Sequence, residues 1–220
     1  MHESMLFAQK QAGDNRLSKD NAALLFIDHQ TGLFQLVRDY HYDEFKNNVL
    51  ALAAIGTLFH LPTILTTSFE SGPNGPLIPE LKHTFPKAPF IPRPGQINAW
   101  DNEDFVKAVK ATGRKKLIIA GIVTDVCVVF PAISALSEGY DVYVVVDASG
   151  TFNLATRHAA LSRMAQCGAV LTNWFSIGSE LQRDWRDKGE GLTQLLKDHL
   201  VPYANLICSH EVSHDAEQET

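Results

Sequence analysis

Four short apolar runs, each flanked by polar residues, set the rhythm of the chain. Residues 21–28 read NAALLFID, 61–68 LPTILTTS, 116–120 KLIIA and 140–146 YDVYVVV, the last followed by Asp147. The continuous apolar run of the first marks a strand covered on both faces, as in a parallel sheet, and the other three read as further strands. Between the runs the apolar period lengthens to that of helices, over 43–59, 101–111, 125–137 and 153–166. In the second of these, Phe105, Val106 and Val109 share one face. A last strand is expected at 169–173 and mainly helix over 175–200. Pro62 at a strand start and Pro131 early in a helix both stand where a missing N–H does least harm. This exchange of strand and helix predicts one three-layer α/β domain with a mainly parallel sheet.

Polar and Pro/Gly-rich stretches divide the rest. Residues 1–16 read as an N-terminal arm, 17–205 as the domain and 206–220 as a mobile C-terminal tail. Residues 70–80, ESGPNGPLIPE, are expected to form a loop, and more proline punctuates 81–92. Arg93-Pro94-Gly95 then reads as a stiff turn. A long loop after a strand is where α/β proteins place binding function.

Composition narrows the classes. The 220 residues are 45% hydrophobic and 20% charged with a formal charge of -6, which is ordinary globular composition and weighs against nucleic acid and anionic membranes as partners. Three widely spaced cysteines, Cys127, Cys167 and Cys208, fit neither a disulfide framework nor a CxxC zinc site and point to a reducing compartment. The first 17 residues lack the apolar core of a signal peptide, and no apolar run is long enough to span a bilayer. The expected location is the cytoplasm.

In an open α/β sheet, ligands bind beyond the carboxyl ends of the strands. That rule gathers Asp28, residues 68–70, residues 123–127 and Asp147 at one edge. Cys127, in GIVTDVC, is expected in the first turn of a helix, open to solvent and acidified by the helix N-terminus. The competing reading is a space-filling cysteine, and it is kept for Cys167 and Cys208. Asp28 is a candidate base or a cap. His29, on the opposite side of an extended chain, is read as structural. Arg93, between two prolines, is a candidate fixed cation or a surface ion pair. Gln30 and Asn98 are candidate substrate hydrogen-bonders, and Phe69 and Trp100 candidate apolar walls. A dinucleotide-binding protein would carry GxGxxG after the first strand, where DHQTGLF has one glycine.

LLFIDHQ, RPGQINAWDN and AGIVTDVCV, in that order, resemble the isochorismatase-like, or cysteine hydrolase, superfamily. TILTTSFESGPNGPL, RPGQINAWDNEDFVKA and DASGTFN are similar to its YcaC-like branch, and the likeness runs over residues 17–203. The resemblance implies a three-layer α/β/α sandwich on a six-stranded sheet, and a homo-oligomer, first of all an octamer. It implies Asp28, Arg93 and Cys127 as the catalytic set, a cis peptide at Ile122–Val123, and an oxyanion hole from the N–H groups of Val123 and Cys127. The implied reaction is C–N hydrolysis of amidase type on a small molecule through a thioester, without a cofactor. The alternative is a non-catalytic or redox-sensing oligomer that keeps a reactive cysteine. The chain departs from the family's usual pattern twice. Arg93 replaces the common lysine, and the segment after the second strand has no His, so no metal is expected and nicotinamide is disfavoured as substrate. Cys127 disfavours the vinyl-ether chemistry of isochorismatases proper.

Overall fold

A computed structural model describes residues 16–187 and 189–218. The expected arm, 1–16, falls almost entirely outside the described residues. Six strands build the sheet: β1 (Ala22–Ile27), β2 (Thr63–Ser68), β3 (Phe90–Arg93), β4 (Lys116–Gly121), β5 (Asp141–Val145) and β6 (Val170–Thr172). They are all parallel, in the order β3-β2-β1-β4-β5-β6. The helices are α1 (Tyr42–Leu58), α2 (Pro79–Thr84), α3 (Glu103–Ala111), α4 (Val129–Ser137), α5 (Leu154–Gln166), α6 (Trp174–Gln182), α7 (Glu190–His199) and α8 (Val201–Gln218).

The continuous apolar runs follow from burial on both faces. In β1, Leu24 and Phe26 pack into a core with Val49, Leu52 and Ile55 of α1 and Ile177 of α6. Their neighbours Ala23, Leu25 and Ile27 enter a second core with Phe105 and Val109 of α3, Ala132 of α4 and Met164 of α5. Every residue of β1, β2 and β4 is buried. Asparagine starts three helices: Asn102, Asn153 and Asn173 each accept from a backbone N–H in the first turn, each cap being worth about 1 kcal/mol. Two of these fix elements beside the sheet's carboxyl edge.

Three expectations need correction. Residues 90–93 are a strand, because Pro92 sits on the sheet's edge strand, where a missing donor is tolerated. The proline-rich loop gives way to a helix at Pro79, which takes the first helical position. Helix also continues beyond the expected 175–200, over Val201–Gln218, which takes in most of the expected tail, 206–220, and α8 packs on α7. Among the described residues, no helix is long and apolar enough to cross a membrane.

Candidate active site

The strand order reverses direction between β1 and β4, so the carboxyl ends of these neighbours open a crevice. Asp28 follows β1 directly. Its φ of 58° is unusual for any residue but glycine, and it ends the strand's alternation. Asp28 and His29 therefore part company: Asp28 meets Arg93, while His29 turns to the carbonyl of Ala148 at 3.0 Å, among Phe26, Phe34 and Phe45. Burial lowers the His29 pKa to about 4, so the ring is neutral and its Nε2–H donates.

Arg93 closes β3, two strands away from β1, and reaches across β2. Its Nε donates to Thr66 Oγ1 at 3.1 Å, Nη1 to the carbonyls of Gln96 and Ile97 at 2.6 and 3.4 Å, and Nη2 to Asp28 Oδ1. Both partners of the ion pair are fully buried. Asp28 Oδ2 has no hydrogen-bond partner among the described residues. Burial raises the Asp28 pKa above the usual carboxylate range, with Arg93 opposing the rise.

Cys127 lies in a π-helical turn, Thr124–Val128, that leads into α4. The turn is wide because the Val128 N–H reaches back to the Val123 carbonyl at 3.3 Å. The Ile122–Val123 peptide is cis. Neighbouring loops hold the turn. Thr124 N–H donates to the Gly150 carbonyl at 3.0 Å, and Thr151 Oγ1 donates to Asp125 Oδ1 at 2.6 Å. The thiol is half-buried and sits against Asp28, and the expected acidification is overturned. Burial first, then the Asp28 charge, push its pKa well above the ordinary range, while the Val123 N–H and Arg93 pull the other way. A desolvated sulfur beside a carboxylate holds its proton more firmly than a helix N-terminus can loosen it.

The remaining candidates divide. Phe69 is about half exposed, and its backbone N–H donates to the Arg93 carbonyl at 3.0 Å. Gln30 is fully buried, with its amide bonded to the backbone of Ser68 and Gly75, tying the segment after β1 to the end of β2 and the loop that follows it. Asn98 caps a short 3₁₀ turn through Trp100 N–H and donates to Ser134 Oγ at 3.1 Å. Trp100 packs against Phe105 and Tyr140, and its indole N–H donates to Glu138. Scaffold bonds occupy all three. Thr66 and Thr151 are the polar contributors that sequence reasoning missed. The signal for Thr66 is a buried strand, TILTTS, that carries three threonines and a serine in six residues.

Comparison with known proteins gives this edge a context. The Isochorismatase domain family matches residues 22–175. The chain is 63% identical over 196 residues to the probable hydrolase YcaC of Escherichia coli (strain K12), covering 89% of this chain and 94% of that protein. A structure of YcaC from Pseudomonas aeruginosa with hexane-2,5-diol and covalent acrylamide is 67% identical, with a TM-score of 0.89 over 90% of this chain and 98% of that one. The crystal structure of Escherichia coli YcaC, described as an octameric hydrolase of unknown specificity, has a TM-score of 0.88 at 63% identity over 90% of this chain and 97% of that one. With its family match across most of the described sheet and close likeness to YcaC in sequence and fold, the chain belongs to the isochorismatase family.

Proposed function

We propose that the protein is a metal-independent cysteine hydrolase that cleaves a small amide-like or related carbonyl substrate through a thioester. The observation that carries this is the convergence of a thiol, an incompletely bonded buried carboxylate and a fixed guanidinium at the crevice between β1 and β4. In the resting site the proton stays on sulfur. As Cys127 Sγ attacks the carbonyl carbon, its proton passes to Asp28, whose raised pKa makes it a better acceptor than an ordinary carboxylate. The carbonyl's π electrons move onto oxygen, where the N–H groups of Val123 and Cys127 are assigned as donors. Collapse expels the amine, which leaves with the proton from Asp28. Water then attacks the thioester, Asp28 takes its proton, and collapse returns that proton to sulfur. Arg93 stays charged throughout and acts through position and field alone.

The covalent acrylamide in the Pseudomonas aeruginosa relative supports a reactive nucleophile in this fold. The octameric hydrolase description of the Escherichia coli relative supports both the reaction class and an assembly of eight copies. Three free cysteines agree with a cytoplasmic setting. The metal-independent reading rests on the segment after β2, FESGPNGPL, which offers no His. A redox sensor is disfavoured, since ready oxidation needs an exposed, low-pKa thiol and burial works the other way here.

A panel of small amides and esters, run on the wild type beside Cys127→Ala, tests the proposal. A turnover that disappears in the variant, with an acyl adduct on Cys127 in mass spectra of the wild type, is expected. Turnover that survives Cys127→Ala overturns it.

A further inference from the structure

The cation at the centre of the site is spent on the protein. Arg93 is buried and gives hydrogen bonds to Thr66, Gln96, Ile97 and Asp28, so little of its charge is left for an anionic substrate. Arg157, by the β5 side of the same edge, lies over the Tyr40 ring at 4.2 Å. Large apolar side chains are exposed beside the site, next to the exposed Arg38, whose backbone N–H donates to the Thr151 carbonyl at 2.8 Å. Phe69, Ile97, Phe152 and Leu154 are 49%, 63%, 43% and 54% exposed.

These side chains are tied to the site on both flanks. Phe69 donates its backbone N–H to the Arg93 carbonyl, and the Ile97 carbonyl accepts from the Arg93 guanidinium. Phe152 follows Thr151, whose hydroxyl holds Asp125 of the cysteine turn, and Leu154 opens α5, which packs against that turn. Phe69 carries the further point. Its φ of 49° is costly for a bulky residue, and its ring occupies space that a Cβ on Gly72 would contest. The backbone bears this cost and clears room for a phenyl ring, yet leaves about half of it in water.

We propose that these four side chains form an apolar mouth to the Cys127 site, and that the substrate is an uncharged carbonyl compound bearing an alkyl or aryl group. The inference rests on the cysteine-nucleophile reading and names its substrate class. Burying hydrocarbon at such a mouth favours reaction by about two- to fourfold for each added methylene, whereas a carboxylate finds Arg93 already paired with Asp28 and loses water.

Alkylation kinetics test this without a known substrate. The full-length protein is treated with iodoacetamide, its N-ethyl, N-butyl and N-phenyl derivatives, and iodoacetate. The rate at Cys127, read by peptide mass spectrometry, is divided by the rate at exposed Cys167 in the same sample. The ratio should climb about two- to fourfold per methylene through N-butyl and be lowest for iodoacetate. Phe69→Ala and Phe152→Ala should flatten the climb, while Leu206→Ala on α8 keeps it. A flat series, or the highest ratio with iodoacetate, overturns the apolar mouth alone. A lower assembly mass in Phe152→Ala with the climb intact also overturns it, by assigning the rim to a second copy. No alkylation of Cys127 by any reagent overturns the nucleophile reading itself, and this inference with it.

Discussion

Burial sets the protonation of Cys127 and Asp28 first, and the Asp28 charge adds to it at the thiol. The carboxylate raises the thiol pKa, so its removal should release thiolate even as it removes the base. Asp28→Asn is therefore expected to speed alkylation of Cys127 at neutral pH, about three- to fourfold for each unit by which the thiol pKa falls, since more thiolate is offset in part by its lower nucleophilicity, while hydrolysis is lost. Rates of iodoacetamide labelling and of substrate turnover, measured side by side, check this; unchanged labelling would separate the two groups. The wild type's acid limb follows the same sign. Hydrolysis needs ionised Asp28, whose pKa is raised by burial, so activity should begin to fall at a pH above the usual carboxylate range. Arg93 stabilises by compensation. Arg93→Met leaves Asp28 buried without its counter-charge and should cost about 3–5 kcal/mol in urea unfolding, part of which Arg93→Met with Asp28→Asn should restore. Asp28, Arg93 and Cys127 could be read from the sequence because strand-end and turn positions carry them. The high thiol pKa could not, since it depends on which atoms crowd the sulfur.

Among the elements, the junction of β4 with the cysteine turn is the tightest. A Cβ on Gly121 would come within 2.5 Å of the Ile27 carbonyl and 3.1 Å of Val128 Cγ2. Backbone cannot yield as a side-chain tip does, so Gly121→Ala must push β4 from β1 at the point where Asp28 and Cys127 face each other. The expected result is a loss of about 1–3 kcal/mol by thermal or urea unfolding, with a fall in turnover at saturating substrate that exceeds any rise in KM. A variant with wild-type turnover would show that the turn tolerates the shift. This close approach leaves only a glycine in the sequence. Strand β3 was illegible for a related reason: two prolines in four residues, 91–94, read as a turn unless the segment is known to lie at an edge, where only one side of the strand needs donors. Gln30, Asn98 and Trp100 had the chemistry of pocket residues, but the fold bonds Gln30 to the distant Ser68 and Gly75 and Trp100 to the Glu138 side chain, partners no local pattern shows, and Asn98 to the nearby Trp100 N–H.

Across the whole molecule, the alternation of short strand runs and amphipathic helices made the three layers legible, because strands covered on both faces read as largely apolar runs, with β2, TILTTS, the polar exception. The count of six strands came with the family's motifs, and the strand order was not in the pattern. The helical end of the chain was missed because α8 has little apolar periodicity, and its placement comes from packing on α7. Burial at this scale also makes stability depend on pH. His29 has a folded pKa of about 4 against an ordinary 6.5, so between those values the unfolded chain binds the proton that the folded one refuses. Its contribution to stability is therefore present above about pH 6.5 and is lost as the pH falls towards 4. Asp147, whose pKa burial raises to about 6, works in the opposite direction over much of this window, so the wild-type curve alone would hide the effect. His29→Gln keeps a donor for the Ala148 carbonyl and leaves Asp147 in place. The stability difference between wild type and variant, from urea unfolding, should shrink by about 2 kcal/mol between pH 7.5 and pH 5. A difference that stays constant would mean that His29 is protonated in the folded chain, against the neutral ring that its aromatic enclosure requires.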